Sequence, residues 1–200
     1  MKTFVSAIVI SHDSQNFLSQ TLNALKQQPI DELIHVETSS NSVELQTSNS
    51  FKLENATLGK SLALAVSKTS EQSDWLWIIH DDSAPLPGAL ATMLAVAETS
   101  PSVAVIGPKQ VAINDHSVIV QQGLTLTRRG GLFSLVSNEL DQSQHDLASD
   151  VLAVGTAGML VKREVWLALG GISDLVPPLA ADIDFSMRVR SLGHRVVVAP

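Results

Sequence analysis

The chain has 200 residues, of which 44% are hydrophobic, so it is long enough for one domain with a sizeable core. Charged residues make up only 16% and the formal net charge is −7, which excludes a disordered chain and argues against nucleic-acid binding through a basic surface. The absence of cysteine excludes disulfides and thiolate metal sites, and no apolar run approaches the roughly 18 residues of a membrane-spanning helix.

Predicted strands and helices alternate along the chain. The strands are apolar runs at 4–10, 33–37, 74–80, 103–106, 158–161 and 195–199. The helices are segments with apolar residues at helical spacing, at 17–25, 58–68, 88–98, 163–169 and 181–192. A polar loop is predicted at 38–50, and the region 111–150 is expected to leave the main sheet. This alternation predicts a mostly parallel sheet covered by helices on both faces.

Polar and acidic residues stand at the ends of the first three predicted strands. They are Ser11, His12 and Asp13 after the first strand, Glu37 at the end of the second, and Asp81 and Asp82 after the third. In open α/β sheets ligands bind beyond the carboxyl ends of the strands, so these side chains predict a binding site. The alternative is that each turn is polar only because loops and helix caps are.

The adjacent carboxylates of Asp81 and Asp82 are the sharpest local signal. They would repel each other unless a cation or hydrogen-bond donors compensate their charge. Carboxylate oxygens suit Mg²⁺ or Mn²⁺ that carries a diphosphate. The alternative is a solvated turn in which Asp82 or Ser83 binds the local backbone.

A second acidic pair, Asp182 and Asp184, begins a predicted helix. Residues two apart on a helix point in directions roughly 200° apart, so at most one of them faces a given pocket. One could take a proton from an acceptor hydroxyl as a general base, while the other caps the helix. The alternative for both is simply a helix start.

Several common catalytic motifs are absent from the sequence. It contains no Walker-type phosphate loop, no G-x-G-x-x-G after the first strand, no H-E-x-x-H and no G-x-S-x-G. Nucleotide binding by a phosphate loop, zinc hydrolysis and serine hydrolysis are therefore poorly supported.

Four blocks, in this order, resemble family 2 glycosyltransferases with the GT-A fold. They are VSAIVISHDSQNFLSQTLNAL, Glu37 at the end of the second strand, DWLWIIHDDSAPLPGAL, and GTAGMLVKREVWLALGGISD with DIDFSMRVRSLGHRVVVAP. Three segments are similar to the N-terminal catalytic domain of large actinobacterial membrane glycosyltransferases: WLWIIHDDSAP, ELDQSQHD and VLAVGTAGMLVKREVW. The resemblance covers nearly the whole chain.

The resemblance implies an inverting transfer of sugar from a nucleoside-diphosphate sugar to an acceptor hydroxyl, in cell-envelope polysaccharide or glycolipid synthesis. It implies one domain over 1–200, with a nucleotide-sugar half at about 1–110 and an acceptor half at about 111–200, as the front part of a longer protein. The expected partners are the donor and a sugar or lipid-linked acceptor, with no nucleic acid. The expected location is cytoplasmic, at the inner face of the membrane, with membrane association only through regions outside this sequence.

The resemblance also implies residue roles. The nucleotide sugar would contact Ser11, His12, Asp13, Glu37, Gly59, Lys60 and Asp81. Asp82, with Asp81, would hold Mn²⁺ or Mg²⁺ on the diphosphate. Asp182 occupies the position of the catalytic base, with Asp184 two residues on, and Gly155, Thr156 and His145 would line the acceptor side.

Two departures from the family pattern support other functions. His80 stands where the Asp-x-Asp motif has its first acid, and Ala181 stands where an acid often precedes the base. An inactive GT-A domain that binds nucleotide or a partner is therefore the alternative. A sugar nucleotidyltransferase is disfavoured, because no Gly-rich loop bearing Arg or Lys follows the first strand to hold a triphosphate.

Overall fold

The structure is a computed structural model that describes residues 3–13, 15–40 and 47–200. Its strands are β1 (Val5–Ser11), β2 (Glu32–Glu37), β3 (Ser50–Lys52), β4 (Trp75–His80), β5 (Val103–Pro108), β6 (Gln110–Ala112), β7 (Asp115–Leu126), β8 (Leu132–Val136), β9 (Glu139–Leu140), β10 (Ser149–Asp150), β11 (Leu160–Lys162) and β12 (Arg195–Ala199). Its helices are α1 (Gln15–Leu25), α2 (Leu58–Lys68), α3 (Ala89–Glu98), α4 (Arg163–Leu169) and α5 (Ala181–Ser191), with a 3₁₀ turn at Pro178–Ala180 before α5.

Within the described ranges, eight strands form a central sheet in the order β10-β12-β5-β11-β4-β1-β2-β3. β1 pairs in parallel with β2 and β4, and β5 pairs in parallel with β12. β11 lies antiparallel between β4 and β5, and β10 is an antiparallel edge strand. The sequence prediction of a mostly parallel central sheet is confirmed.

Helices cover both faces of this sheet, as its apolar strands require. Alternate residues of each strand point to opposite faces, so β1 sends Ile8 to one core and Val9 to the other. The first core includes residues of α2, α4 and α5, and its largest fully buried side chain is Phe185. The second core packs α1 and α3 around Trp77.

Region 110–140 forms a second, antiparallel sheet, as expected for most of 111–150, but β10 at the end of that region belongs to the main sheet. β7 pairs with β6, β8 and β9. Backbone hydrogen bonds between Leu124 and Ala153 at 2.7 and 3.1 Å join β7 to the segment that precedes β11. The second sheet therefore lies next to the residues predicted for the acceptor side.

The structure differs from the predicted elements at three glycine-containing or polar segments. β11 begins at Leu160 rather than at 158, because Gly158 has a φ of +90°, which is outside the strand region. α3 begins at Ala89 because Gly88 is left-handed with a φ of +85°. The predicted loop at 38–50 ends in strand β3, which extends the sheet beside β2, and positions 41–46 lie outside the described residues.

Candidate functional site

The carboxyl ends of the parallel strands β1, β2 and β4 meet at one edge of the sheet. The strand register places Ser11 opposite Glu37 and Ile10 opposite His80. The turns that follow these three strands are therefore neighbours, as the sequence predicted. The site is built from these turns and from the first turn of α5.

A buried polar network ties the ends of β1 and β2 together. Ser11 Oγ donates to Glu37 Oε2 at 2.6 Å and lies 2.7 Å from His35 Nε2, and His35 Nδ1 lies 2.9 Å from Ser50 Oγ. Because Ser11 donates its only hydroxyl proton to Glu37, His35 Nε2 must donate to Ser11 Oγ. Burial favours the neutral imidazole and lowers the pKa of His35 despite the nearby charges of Glu37 and Asp81.

Glu37 is engaged on both carboxylate oxygens. Besides Ser11, it accepts the backbone N–H of Ser39 at 2.7 Å through Oε1, and the residue is only 1% exposed. Ser39 in turn donates its hydroxyl to Asp13 Oδ1. Glu37 therefore stabilises the turns after β1 and β2 from a buried position, whereas His12 and Asp13 are exposed to solvent.

His12 connects the β1 turn with the β4 turn. Its backbone N–H donates to Asp81 Oδ2 at 2.9 Å, and its Nδ1 lies 2.9 Å from Thr38 Oγ1. Thr21 of α1 donates to the backbone carbonyl of Asp81 at 2.8 Å. These contacts fix one carboxylate oxygen of Asp81, while Asp82 is exposed at the next position.

The donor set at Asp81 and Asp82 fits a divalent cation shared with a phosphate ligand. Among the described residues, no group of three or more His, Cys, Asp or Glu side chains could hold a metal ion by itself. Mg²⁺ needs only one or two carboxylates when substrate phosphate and water complete its shell. Two adjacent carboxylates, one oriented by a backbone N–H and one exposed, match that requirement.

Gly59 and Lys60 lie in the first turn of α2. Thr57 caps this helix by accepting the Lys60 N–H at 3.3 Å, and its hydroxyl donates to Asp174 Oδ1 at 2.5 Å. A Cβ at Gly59 would lie 2.6 Å from Asp174 Oδ1 and 2.8 Å from the Ile172 carbonyl. Gly59 is therefore required for packing against the loop after α4, and Lys60 is the exposed member of the pair.

Asp182 lies in the first turn of α5, half-buried beside Thr156 and His80. Burial raises the pKa of its carboxyl and outweighs the lowering effects of the nearby Thr156 hydroxyl, of His80 and of the Thr156 backbone N–H. Thr156 Oγ1 lies 3.1 Å from His80 Nε2. His80, the last residue of β4, thus points toward the predicted base, whereas Asp81 contacts the β1 turn.

Asp184 faces a different neighbour. Its Oδ2 accepts a hydrogen bond from Arg188 Nε and pairs with the guanidinium, which also donates to the backbone carbonyls of Leu169 and Gly171. The structure therefore groups Asp182 with Thr156 and His80 and leaves Asp184 in an ion pair that joins α5 to the end of α4.

His145 lies in the loop after β9, where its Nε2 is 2.8 Å from Glu139 Oε1. The same loop is held by Lys109, whose Nζ lies 2.7 Å from Asp141 and 2.6 Å from Asp146. His145 therefore belongs to an ion-paired loop of the second sheet.

Nearly the whole chain is similar to a known protein family. The family model described as "Glycosyltransferase like family 2" matches residues 5–200. The chain belongs to glycosyltransferase family 2. No curated protein gives a significant match.

Solved glycosyltransferases share the fold of this family 2 chain at low sequence identity. GalNAc-T7 with UDP, GalNAc and Mn²⁺ has a TM-score of 0.76 at 11% identity, over 99% of this chain and 42% of that one. The mannosyltransferase PcManGT from Pyrobaculum calidifontis, with GDP-Man and Mn²⁺, has a TM-score of 0.67 at 15% identity, over 100% and 55%. S. aureus TarS 1-349 has a TM-score of 0.65 at 15% identity, over 98% and 58%. The family 2 chain thus spans about half the length of these structures and has their GT-A fold.

In the parts of the chain that the structure describes, no helix is long and apolar enough to cross a membrane.

Sequence reasoning missed two features of this family 2 site. His80 was predicted only as a departure from the metal motif, yet it contacts Thr156 beside Asp182. His35 was not predicted to take part, although it supports Ser11 and Glu37. A histidine within an otherwise apolar strand was the available signal at both positions.

Proposed function

We propose that this domain is an inverting glycosyltransferase that moves a sugar from a nucleoside-diphosphate sugar to an acceptor hydroxyl. The observation that carries the proposal is the position of the end of β4 between two sets of partners. Asp81 contacts the turn after β1, and His80 contacts Thr156, which contacts Asp182. The proposed donor site and the proposed base therefore lie on either side of residues 80–82 at the end of β4.

On the donor side, the exposed residues of the β1 turn and Asp82 would contact the nucleotide and its diphosphate. His12 and Asp13 are exposed at this edge, and Glu37 supports them from a buried position. Asp82, with the second oxygen of Asp81, would hold Mn²⁺ or Mg²⁺. The cation, when bound, would neutralise charge on the departing diphosphate. The bound Mn²⁺ in GalNAc-T7 and PcManGT supports this assignment.

On the acceptor side, Asp182 would act as the general base. It accepts the proton of the acceptor hydroxyl while that oxygen forms a bond to the anomeric carbon, and the bond from this carbon to the diphosphate oxygen breaks. Attack opposite the leaving group inverts the anomeric configuration. Burial raises the pKa of Asp182, which makes its carboxylate a stronger base than an exposed aspartate.

The proposal also includes the acceptor and the cellular process in which it is used. We place the acceptor among sugars or lipid-linked hydroxyls of cell-envelope polysaccharide or glycolipid synthesis, at the cytoplasmic face of the membrane. This part of the proposal rests on the resemblance of the sequence blocks at 75–85, 139–146 and 151–166 to the catalytic domain of large membrane glycosyltransferases.

A domain that binds a nucleotide and transfers nothing is the second candidate. The observation that favours it is His80, which replaces an acid of the metal motif and contacts Thr156. In such a domain the donor edge would be intact, and mutation of Asp182 would change no reaction.

A melting-temperature screen with UDP- and GDP-sugars in the presence of Mn²⁺ identifies the donor, because a ligand that binds the native state raises the melting temperature by mass action. Release of sugar from that donor is then measured with and without acceptors, for the wild type and Asp182→Asn. Transfer or hydrolysis that depends on Asp182 supports the enzyme. Binding with no turnover supports the second candidate, and no stabilisation by any nucleotide sugar contradicts both.

A further inference from the structure

We propose that Thr156 is a positioning residue that orients the carboxylate of Asp182 through its hydroxyl and its backbone N–H. The inference rests on the proposed function, in which Asp182 is the base. Thr156 is 3% exposed, its Oγ1 lies 3.1 Å from His80 Nε2, and a Cβ on the adjacent Gly155 would lie 3.8 Å from Asp182 Oδ2. Thr156 lies in the segment between β10 and β11, outside the helices and strands.

The segment that carries Thr156 is fixed to β4. Gly158 donates its N–H to the Ile78 carbonyl at 2.8 Å, and its own carbonyl accepts the indole N–H of Trp77 at 3.1 Å. A Cβ at Gly158, whose φ is +90°, would lie 2.6 Å from the ring of Pro108. A backbone held this closely gives Thr156 a fixed position relative to the end of β4.

The Thr156 hydroxyl can donate one hydrogen bond and accept another, which limits how it can bind Asp182 and His80. Thr156 has one hydroxyl proton and two lone pairs. If the proton is donated to Asp182, the oxygen accepts from His80 Nε2–H at 3.1 Å. The hydroxyl and the backbone N–H of Thr156 both lie near the carboxylate of Asp182, so one residue can supply it with two donors. Two donors on a rigid segment restrict both the position and the rotation of the carboxylate.

Gly155 keeps a neighbouring side of that carboxylate uncovered. A Cβ at this position would lie 3.8 Å from Asp182 Oδ2 and only 2.8 Å from Gln121 Oε1. A Cβ at 155 would therefore displace the end of the Gln121 side chain and would be in van der Waals contact with Asp182. Gly155 therefore leaves room for Gln121 beside Asp182, and Thr156 would fix the orientation of the carboxylate, as a base needs in order to meet an acceptor hydroxyl.

The decisive variants are Thr156→Val, which keeps the shape and removes the hydroxyl, and Thr156→Ser, which keeps the hydroxyl. Thr69→Val is the matched control, because Thr69 is also buried but donates its hydroxyl to its own helix at the Val66 carbonyl. Thr156→Ala gives a second removal of the hydroxyl if the valine variant folds poorly.

We expect Thr156→Val to lower kcat by about 10- to 100-fold with the KM for the donor within about twofold of the wild type, because a misplaced base slows chemistry and leaves donor binding intact. Thr156→Ser should restore most of the rate. In the Asp182→Asn background, Thr156→Val should cause no further loss, because the two residues act as one unit. Equal effects of Thr156→Val and Thr69→Val, or full additivity with Asp182→Asn, would overturn the proposal.

A second readout does not depend on turnover. The pKa of Asp182 can be followed by carboxyl-carbon NMR, with the signal assigned from Asp182→Asn. The charged groups near it are His80 and, on its own helix, Asp184 in its pair with Arg188. Loss of a donor to the charged form should raise the pKa of Asp182 in Thr156→Val and not in Thr156→Ser. An unchanged pKa in Thr156→Val overturns the proposed contact even if the protein transfers no sugar, whereas a shifted pKa without transfer contradicts only the proposed function.

Discussion

Asp184 Oδ2 accepts a hydrogen bond from Arg188 Nε at 2.9 Å and lies 2.8 Å from Nη2 in an ion pair. Arg188 uses its remaining donors on the backbone at the end of α4. Asp182, one half-turn earlier on α5, faces Thr156 and His80 instead. The two acids that look equivalent in sequence therefore have different neighbours and should have separable roles.

The first prediction separates these two acids by mutation. Asp184→Asn should weaken the tie between α5 and α4 and lower the free energy of unfolding by about 1–2 kcal/mol, with transfer retained in the folded protein. Asp182→Asn should lower transfer by roughly 10²–10⁴-fold with nucleotide binding nearly intact. Urea unfolding and transfer assays on both variants check this. Loss of transfer in a folded Asp184→Asn protein, together with an active Asp182→Asn protein, would reverse the roles.

The second prediction concerns the stability cost of the half-buried carboxyl of Asp182. Because the pKa of Asp182 is raised above its ordinary value of 3.8, the folded state holds its proton more tightly than the unfolded state does. The stability from this group is present below pH 3.8 and is lost as the pH rises through the raised pKa. Asp182→Asn should therefore melt at a higher temperature than the wild type at neutral pH, and this difference should shrink in acid. A variant that is less stable than the wild type at neutral pH would contradict this explanation.

The sequence was sufficient to predict that the turns after β1, β2 and β4 lie next to one another. The apolar run of β4 and the acids after it place Asp81 and Asp82 at the carboxyl edge, because parallel strands align these ends. The spacing of Asp182 and Asp184 also showed that they must point apart.

Other features of the site depend on tertiary contacts that the sequence does not show. The contact between His80 and Thr156 joins positions 76 residues apart, so no local pattern could predict it. Glu37 ends β2 as expected, but Ser11 and Ser39 occupy both of its oxygens, and only the folded turn shows this. Strand β3 was missed because three residues are too few to produce a clear alternating pattern.

The third prediction uses the pH dependence of His35. Burial lowers the pKa of His35 below 6.5, so the unfolded state binds its proton at a higher pH than the folded state does. Its stabilising contribution is present above pH 6.5 and is lost as the pH falls through the lowered pKa. Free energies of unfolding between about pH 7.5 and about pH 5 should therefore decrease less steeply in His35→Gln than in the wild type. Identical slopes for the two proteins would show that His35 is not held neutral.

The fourth prediction tests the ion-paired loop that contains His145. Lys109 has a side chain that is 12% exposed, and its partner Asp141 is 17% exposed. Burial alone would lower the pKa of Lys109, but its hydrogen bonds to Asp141 and Asp146 raise it overall. Lys109→Met should leave Asp141 without its cation, destabilise the protein by about 1–3 kcal/mol and speed hydrogen exchange at 141–146.

Lys52→Met is the control for that experiment, because the pair of Lys52 and Glu54 is more exposed, with 32% and 56% of the side chains accessible. Its removal should change stability by less than about 1 kcal/mol. If both lysine variants lose the same stability and hydrogen exchange at 141–146 is unchanged, Lys109 does not hold the loop.

The most direct test of the proposed donor site is calorimetry of UDP and GDP binding to the wild type and to Asp82→Ala, each with and without Mn²⁺. Bare carboxylates at Asp81 and Asp82 repel a diphosphate, and a bridging cation reverses the sign of that interaction. For the nucleotide that binds, Mn²⁺ should tighten binding to the wild type by at least about tenfold, or about 1.4 kcal/mol, and Asp82→Ala should lose most of this gain. Equal affinity in all four measurements would contradict a metal-assisted nucleotide site at the end of β4.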